Sequence, residues 1–210
     1  MTRGLFITFE GGEGAGKSTQ VRLLAERLRQ AGREVVETRE PGGSPGAEAL
    51  RELVVTGARD RWSPLSELLI MNAARADHLE RTIVPALRSG SVVVSDRFAD
   101  SSRAYQGAGG GVPPQVVQAI EAAVVGATRP DLTLVLDLPV EAGLARAAAR
   151  GGEDRFELKG RAFHQRLRDA FLAIAAAEPE RCVVLDGALP IESLQAAVWA
   201  VVAPRLERAA

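Results

Sequence analysis

Residues 11–18, with the sequence GGEGAGKS, match the pattern G-x-x-x-x-G-K-[ST] at every fixed position. The glycines let backbone N–H groups converge on phosphate oxygens without interference from Cβ atoms. Lys17 can place its charge on the β- and γ-phosphates of a triphosphate, and the Ser18 hydroxyl can bind Mg²⁺. The pattern therefore predicts a site for ATP and Mg²⁺, but it does not say where the γ-phosphate goes.

Two acidic residues each end an apolar stretch with the composition of a β-strand. Asp96 ends SVVVSD, and Asp137 ends LTLVLD. A carboxylate at such a position can hold magnesium through water, but it can equally be a helix N-cap or a turn residue. We predict that Asp96 and Ser18 form the magnesium site, with Asp137 as an alternative.

A phosphotransferase needs a second pocket, where cations hold the acceptor and an arginine neutralises the transferred group. Arginines and side chains able to read a base edge occur where loops should meet the carboxyl edge of a sheet. They are Arg39 with Glu40, Arg75, Arg97, the segment DSSRAYQG at 100–107, and Arg146, Arg150 and Arg155. The last two lie in ARGGEDRFELKG, which has the composition of a mobile lid.

Each of these residues also has a purely structural explanation. Arg39 and Glu40 can be a solvated loop pair, which stabilises little. Arg75 can belong to the polar face of an amphipathic helix. The hydroxyl groups near Tyr105 can be helix caps, with the ring as ordinary packing, and arginines are common on surface helices. The residues taken one by one leave these alternatives open.

The elements that must position these residues follow from the hydrophobic pattern. Short apolar stretches rich in β-branched residues predict strands at 5–9, 34–38, 91–95, 132–137 and 181–185. Helical spacing predicts helices at 17–31, 64–88, 114–125, 141–149, 161–177 and 191–202. Pro85 should kink or break the second helix, and the Gly-rich segments 42–46, 107–111 and 151–152 should be loops. This alternation predicts an α/β fold with a parallel, doubly wound sheet.

The composition limits the classes of function. A chain of 210 residues that is 46% hydrophobic suits one domain, 1–210. Its net charge of −1 offers no general attraction to nucleic acid or membranes. The single cysteine, Cys182, excludes an internal disulfide. The start MTRGLFITFEGG lacks the apolar length of a signal peptide, and no stretch approaches the ~20 apolar residues of a membrane span. We predict a soluble, cytoplasmic protein.

Taken together, these motifs resemble those of bacterial thymidylate kinases along essentially the whole chain. The shared segments, in the family's order, are FEGGEGAGKST, REPGG, NAAR, SDRF, SSRAYQG, RPDLTLVLD and RGGEDRFE. The resemblance implies a P-loop kinase fold, with a five-stranded parallel sheet, helices on both faces and a small mobile lid at about 146–160. It also implies phosphoryl transfer from ATP to dTMP in dTTP biosynthesis, and a homodimer.

The resemblance further assigns residues to the two substrates. Those implied for ATP are Gly11, Gly12, Glu13, Gly14, Ala15, Gly16, Lys17, Ser18 and Thr19, with Arg146 and Arg150 from the lid. Those implied for dTMP are Glu40, Arg51, Met71, Arg75, Arg97, Ser102, Tyr105 and Gln106. The implied catalytic residues are Lys17, Arg97, Arg155 and Glu13.

Specific roles in the acceptor site are implied in the same way. Arg97 would hold the dTMP phosphate, for which a guanidinium fork is well shaped. Arg75 and Gln106 would bond the polar edge of thymine, with Ser102 nearby. Tyr105 would crowd the 2′ position and so favour deoxyribose, while Glu13 would approach the 3′-hydroxyl.

Two positions separate this chain from other members of the family. Gly14 follows Glu13 where some relatives have a catalytic arginine, so the resemblance assigns that role to Arg155 in the lid. Met71 stands where many relatives have a phenylalanine that stacks on thymine. A thioether can pack on a ring, but the sequence does not identify another stacking residue.

Two other functions are compatible with the phosphate loop. The chain could phosphorylate a different nucleoside monophosphate, and Tyr105 and Gln106 are the features that favour dTMP. It could also be a nucleotide-dependent switch without an acceptor substrate. Arg75, Arg97 and the segment 101–107 argue against a switch, because a switch needs no pocket that reads a base.

Overall fold

A computed structural model describes residues 3–58, 60–151, 155–156 and 158–208, without the side chains of Arg150 and Arg208. Its centre is a five-stranded sheet in the order β2-β3-β1-β4-β5, in which every pair is parallel. The strands are β1 (Phe6–Gly11), β2 (Val35–Arg39), β3 (Val92–Asp96), β4 (Leu132–Asp137) and β5 (Cys182–Asp186). This confirms the predicted parallel α/β sheet.

Helices connect the strands and lie on both faces of the sheet. They are α1 (Lys17–Gln30), α2 (Pro45–Val55), α3 (Pro64–His78), α4 (Val84–Arg88), α5 (Ala99–Ser102), α6 (Pro114–Val125), α7 (Val140–Arg150), α8 (Arg161–Ala177) and α9 (Ile191–Arg208). Two π-helical segments, Leu79–Ile83 and Arg103–Gly109, follow α3 and α5. No helix in the described ranges has the length and apolarity to cross a membrane.

The alternating side chains of β1 explain why the sheet needs two layers of helices. Ile7 and Phe9 pack with α1 and α9 on one face, whereas Phe6 packs with the region of α4 on the other. All three side chains are fully buried. Full burial of a side chain of this size contributes about 1.5–3 kcal/mol. The central strand is therefore held from both sides, and its carboxyl end is a rigid support for the loop that follows.

The predicted strands are confirmed, but four of them end one or two residues later than the sequence indicated. In the register of the sheet, Arg39 of β2 lies opposite Asp96 of β3. Polar residues therefore continue the strands at their carboxyl ends. They can do so because this edge of the sheet opens on a cleft rather than on the core.

The predicted helix at 64–88 is interrupted before Pro85. It runs as α3, the π-helical segment Leu79–Ile83 and the short α4, with Pro85 at the start of α4. Proline has no N–H and its ring clashes with the carbonyl group four residues earlier. A π-helical turn just before it relieves that clash by changing the hydrogen-bond register.

Two Gly-rich segments are more helical than predicted. The predicted loop 42–46 already contains the start of α2, with Pro45 at its first position, where proline is well tolerated. The predicted loop 107–111 begins inside the π-helical segment Arg103–Gly109. A Cβ atom on Gly109 would lie 2.5 Å from the Phe163 ring. This glycine therefore allows close packing on α8 rather than forming a turn.

Candidate active site

The phosphate loop joins β1 to α1, and its glycines are required by its shape. Gly14 has φ 67°, and a Cβ atom there would lie 2.1 Å from the carbonyl oxygen of Gly143. Gly16 has φ 90° and is the N-cap of α1. Side chains would strain or block both positions. The loop therefore presents the N-terminus of α1, which attracts phosphate through its unpaired N–H groups and its dipole.

Lys17 lies over this loop and is nearly buried. Its Nζ donates to the carbonyl oxygens of Gly11 at 3.2 Å and Gly12 at 2.8 Å. Burial and the neighbouring Arg97 lower the pKa of Lys17, although Glu13 and other acids oppose this effect. An ammonium group in such a position gains strongly from a phosphate, because the phosphate supplies the negative charge that compensates its desolvation.

The predicted magnesium ligands lie together. The Ser18 hydroxyl at the start of α1 donates to Asp96 Oδ2 at the end of β3. Both are oxygen ligands of the kind that Mg²⁺ prefers, and Mg²⁺ usually takes only one or two protein ligands beside substrate phosphates. Accordingly, the described residues contain no group of three or more His, Cys, Asp or Glu side chains that could hold a metal. Asp137 instead accepts two hydrogen bonds from Arg168, at 2.7 and 2.9 Å.

Arg97 follows Asp96 and turns its guanidinium group back to the phosphate loop. Its Nη1 donates to Gly11 O at 3.1 Å, and its Nη2 donates to Glu13 Oε1 at 2.9 Å and to the Tyr105 hydroxyl at 2.8 Å. Burial alone would raise the pKa of Glu13, but Arg97, Lys17 and Tyr105 outweigh burial and lower the pKa to about 2. A cation, a carboxylate and a phenol are therefore locked together beside the loop.

These residues border one cleft of about 440 Å³ at the carboxyl edge of the sheet. Most of the predicted site residues line it. They are Glu13, Gly14, Gly16, Lys17, Ser18, Thr19, Glu40, Arg51, Met71, Asp96, Arg97 and Tyr105. The cleft thus joins the phosphate loop to residues contributed by α2, α3 and the segment after β3, as a site for two substrates requires.

Other predicted residues lie behind the wall of the cleft or away from it. Gly11, Gly12 and Ala15 support the phosphate loop without lining the cleft. Ser102 accepts from Arg75 at 3.1 Å. Arg146 donates to Gly187 O at 2.9 Å, outside the cleft. The predicted Arg150 side chain lies outside the described residues.

Arg75 is not on a solvated helix face, since only 1% of it is exposed. Its guanidinium group donates to Glu40 Oε2 at 2.8 Å, to Asn72 Oδ1 at 3.0 Å and to Phe98 O at 3.1 Å. Burying a cation is costly unless it is paired and hydrogen-bonded. Arg75 therefore also ties α3 to the two loops that follow β2 and β3.

Gln106 is buried next to Tyr105 and is only partly hydrogen-bonded. Its Nε2 donates to Glu67 Oε1 at 2.8 Å, whereas its Oε1 has no hydrogen-bond partner among the described residues. Buried acceptors without a partner are rare in folded proteins. This acceptor is therefore unsatisfied, although Gln106 does not line the cleft in this conformation.

The structure does not bring Arg155 to the phosphate loop. The residue is 2% exposed, and its side chain donates to Val54 O at 2.9 Å and to the Glu67 carboxylate. Its backbone N–H also donates to Val55 O at 3.4 Å. In this conformation Arg155 holds the lid segment to α2 and α3, and its predicted catalytic role requires it to leave Glu67.

Sequence reasoning missed several residues of the cleft, above all Phe156. Its ring lines the cleft and contacts Tyr105 edge to face, with centroids 5.4 Å apart and planes at 89°. Its only signal was its place beside Arg155 in the lid motif. Val55 was missed altogether, whereas Pro41 and Ser101 lie in the quoted motifs REPGG and DSSRAYQG but were not assigned a role. They belong to segments whose approach to the cleft depends on long-range packing.

Arg39 also lines the cleft, but its side chain forms a solvated surface ion pair, which is the structural alternative given above for this residue. It pairs with Glu48 at 3.0 Å, and the two side chains are 55% and 43% exposed. Such a solvated pair stabilises the fold by no more than about 1 kcal/mol. Its neighbour Glu40, in contrast, is buried and holds Arg75 and His78.

Comparison with known proteins identifies the family. A family model described as thymidylate kinase matches residues 9–198. The chain is 62% identical to a thymidylate kinase of Caulobacter vibrioides over 206 residues, which cover 98% of this chain and 99% of that protein. It is 56% identical to a thymidylate kinase of Pseudomonas fluorescens, with 98% of each chain covered.

The fold agrees with a solved structure. The crystal structure of a thymidylate kinase from Ehrlichia chaffeensis matches with a TM-score of 0.74 and 32% identity, covering 95% of this chain and 99% of that chain. This agreement confirms the predicted P-loop kinase fold, with its five-stranded parallel sheet. Sequence, fold and cleft are thus consistent, and the chain belongs to the thymidylate kinase family.

Proposed function

We propose that the chain transfers the γ-phosphate of ATP to dTMP in this cleft, giving dTDP and ADP for dTTP synthesis. The observation that carries the proposal is the continuity of the cleft, in which the phosphate loop with Lys17 lies beside Arg97 and Tyr105. The first group suits a donor triphosphate and the second an acceptor monoester. A nucleotide switch has no use for the second group.

On the donor side, residues 11–19 hold the phosphates of ATP, with Lys17 as the main cation. Ser18 and Asp96 would hold Mg²⁺, which would supply charge neutralisation for the bound phosphates. Lys17 exchanges its bonds to Gly11 and Gly12 for phosphate oxygens. The chain thereby aligns the triphosphate with its γ end toward Arg97.

On the acceptor side, Arg97 holds the phosphate of dTMP. Glu13 and Tyr105 both accept from its Nη2 and hold the guanidinium group in place, so little entropy is lost when it binds a second anion. The second pKa of a phosphate monoester is about 6, so no strong general base is needed near pH 7. Catalysis then consists of alignment and charge neutralisation by Lys17, Arg97 and Mg²⁺.

The sugar and base of dTMP would lie between Met71, Phe156 and Tyr105. The first two line the cleft and can pack on thymine, which explains how Met71 can replace an aromatic residue. Tyr105 crowds the 2′ position, while Glu13 and Arg51 contribute polar contacts. We assign to Gln106 Oε1 a hydrogen bond from the thymine N3–H, which requires this side chain to reach the cleft that it does not line in this conformation. Arg75 and Ser102 support the same wall.

The lid predicted at about 146–160, of which 152–154 and 157 lie outside the described residues, would exclude water, which would otherwise receive the phosphate. We assign to Arg155 the stabilisation of charge on the transferred group after it leaves Glu67. Arg146 and Arg150 belong to the first part of this segment and contribute to nucleotide binding.

We also propose a homodimer in the cytoplasm, where both nucleotides are supplied. Leu65 and Leu69 of α3 are 46% and 51% exposed, and Val116 of the adjacent α6 is 37% exposed. A second copy that covers this apolar patch is the simplest partner for it. Sedimentation should show a dimer that Leu69→Glu converts to a monomer, and a monomeric parent chain would refute this part of the proposal.

The activity is tested by a coupled assay for ADP with dTMP, dUMP, UMP and CMP in turn. We expect the highest kcat/KM for dTMP and at least about a tenfold preference over UMP, because UMP adds a 2′-hydroxyl and lacks the methyl group. Equal rates would indicate a broader monophosphate kinase. ADP release that ignores all four acceptors would indicate a nucleotide switch.

A further inference from the structure

Glu10 is a fully buried acid that the phosphate loop does not use. It lies near the end of β1 with 0% exposure and does not line the cleft. Its Oε1 accepts from the backbone N–H groups of Phe98 at 2.8 Å and Ser101 at 3.3 Å. Its Oε2 accepts from the Ser101 hydroxyl at 2.6 Å. These donors belong to the turn that carries Arg97 and to α5, which begins two residues after it.

That turn has an unfavourable backbone conformation. Arg97 has φ 71° and is the one non-glycine residue with positive φ in the part of the chain that the structure describes. Long side chains rarely adopt this region, so the surroundings must hold the residue there. Phe9 O accepts from Arg97 N at 2.9 Å, and the Ser95 hydroxyl donates to Arg97 O at 2.8 Å. Glu10 fixes the next peptide group.

A second link runs from Glu10 to the guanidinium group itself. The Ser101 hydroxyl donates to Glu10 Oε2 and accepts from Arg97 Nη1 at 3.2 Å. Glu10 therefore orients the lone pair that receives Arg97, in addition to holding its backbone. The same nitrogen also donates to Gly11 O at the start of the phosphate loop.

We propose that Glu10 is a positioning residue that sets Arg97 for the acceptor phosphate relative to the phosphate loop. The inference rests on the proposed role of Arg97 in binding dTMP. Because Glu10 immediately precedes Gly11, one buried carboxylate ties the start of the donor loop to the main acceptor cation. It does so without touching either substrate.

The surroundings of Glu10 indicate that hydrogen bonds, rather than an ion pair, hold its carboxyl group in place. Burial raises the pKa of Glu10 to about 7, and Asp100 adds to this, whereas Arg97, Ser101 and the Phe98 N–H oppose it. Glu10→Gln keeps an acceptor for both backbone N–H groups and reverses only the bond to the Ser101 hydroxyl. Glu10→Ala removes every one of these bonds.

The two variants give a graded test by steady-state kinetics. We expect Glu10→Ala to lower kcat/KM for dTMP by about 100-fold and Glu10→Gln by about tenfold, with the KM for ATP within about twofold of the parent. A matched control is Glu121→Gln on α6, which changes a buried carboxylate that accepts from Arg103 of the π-helical segment. It should lower the melting temperature without changing the KM for dTMP.

The decisive measurement is a double-mutant cycle. If Glu10 acts through Arg97, Arg97→Ala combined with Glu10→Ala is no worse for dTMP than Arg97→Ala alone. Additive losses, or a folded Glu10→Ala protein with unchanged kcat/KM for dTMP, would overturn the inference while leaving the role of Arg97 intact. An Arg97→Ala protein with unchanged kcat/KM for dTMP would overturn both.

A variant with an intact carboxylate covers the case in which Glu10→Ala does not fold. Ser101→Ala keeps the buried acid and its two backbone bonds and removes the hydroxyl that joins it to Arg97. We expect about a tenfold lower kcat/KM for dTMP with the KM for ATP unchanged. An equal loss for both substrates would contradict selective positioning of the acceptor cation.

Discussion

The buried pair between Arg155 and Glu67 makes a strong prediction, because its loss should destabilise the fold. The two side chains are 1% and 4% exposed. Removing one partner of a buried ion pair costs about 3–5 kcal/mol, since the other charge stays buried without compensation. In Arg155→Met, the Glu67 carboxylate keeps its hydrogen bond from Gln106 and the nearby charge of Lys159 among the described residues, and Val54 O loses the bond from Arg155 Nε.

This loss is large compared with the total stability of a domain, which is about 5–15 kcal/mol. For a chain of this length, 1 kcal/mol corresponds to about 2–4 °C in melting temperature. Arg155→Met should therefore melt about 6–20 °C lower when unfolding is followed by far-UV circular dichroism. Urea unfolding at constant m-value should give the same change in the free energy of unfolding.

Two comparisons separate the buried pair from a general effect of losing an arginine. Arg161→Met removes an equal side chain from an exposed pair with Glu141, where the side chains are 75% and 58% exposed, and should cost less than about 1 kcal/mol. Adding Glu67→Gln to Arg155→Met removes the orphaned charge and should recover part of the loss. A change below about 1 kcal/mol in Arg155→Met would refute the placement of this guanidinium group.

The same variant tests the catalytic role proposed for Arg155. If the residue leaves Glu67 and stabilises the transferred group, kcat should fall more than about tenfold while dTMP affinity is nearly unchanged. If it only holds the lid, the folded variant keeps its kcat below its melting temperature. Unchanged turnover would therefore remove Arg155 from the catalytic residues.

Three further results are expected. Lys17→Met should lower kcat/KM for ATP at least about 100-fold, because the loop loses its main cation; a smaller loss in the coupled assay would contradict this. The lowered pKa of Glu13 stabilises the fold above the ordinary value of 4.5, and that stability is lost as the pH falls toward 2. Between pH 5 and pH 2, the free energy of unfolding measured with urea should therefore fall by about 3 kcal/mol less in Glu13→Gln than in the parent. Parallel pH curves for the two proteins would refute this. Burial raises the pKa of Cys182 to about 11, so a disulfide reagent at pH 8 should label it only after unfolding.

Local sequence patterns predict the strands, the phosphate loop and several helices, because these features depend mainly on residues that are neighbours in sequence. The nearly continuous apolar stretch at 5–9 requires cover on both faces and so predicts a central strand. The spacing of Gly11, Gly16 and Lys17 specifies a turn whose N–H groups face one point, whatever the rest of the chain does. Helix α8 was predicted with its observed bounds, since its apolar face repeats regularly over 17 residues.

Local patterns are weaker where tertiary contacts reverse a preference. Gly109 is a turn former by itself, but packing against Phe163 makes it part of a helical segment. Pro85 indicated a break, but the hydrogen-bond register changes several residues earlier, over Leu79–Ile83. For Gly109, a contact distant in sequence outweighs a local turn tendency of about 1 kcal/mol. Pro85 predicts the break, but not the length of the π-helical segment before it.

The sequence by itself determined the phosphate loop, the positions of the strands and motifs along the chain, and the family. These follow from motifs and from hydrophobic periodicity. Only the tertiary structure decided that Arg75 and Arg155 are buried in ion pairs, that Phe156 borders the cleft, and that Glu10 holds the turn of Arg97. Charge and exposure depend on which distant groups surround a side chain. Composition and spacing carry no information on that arrangement until the chain has packed.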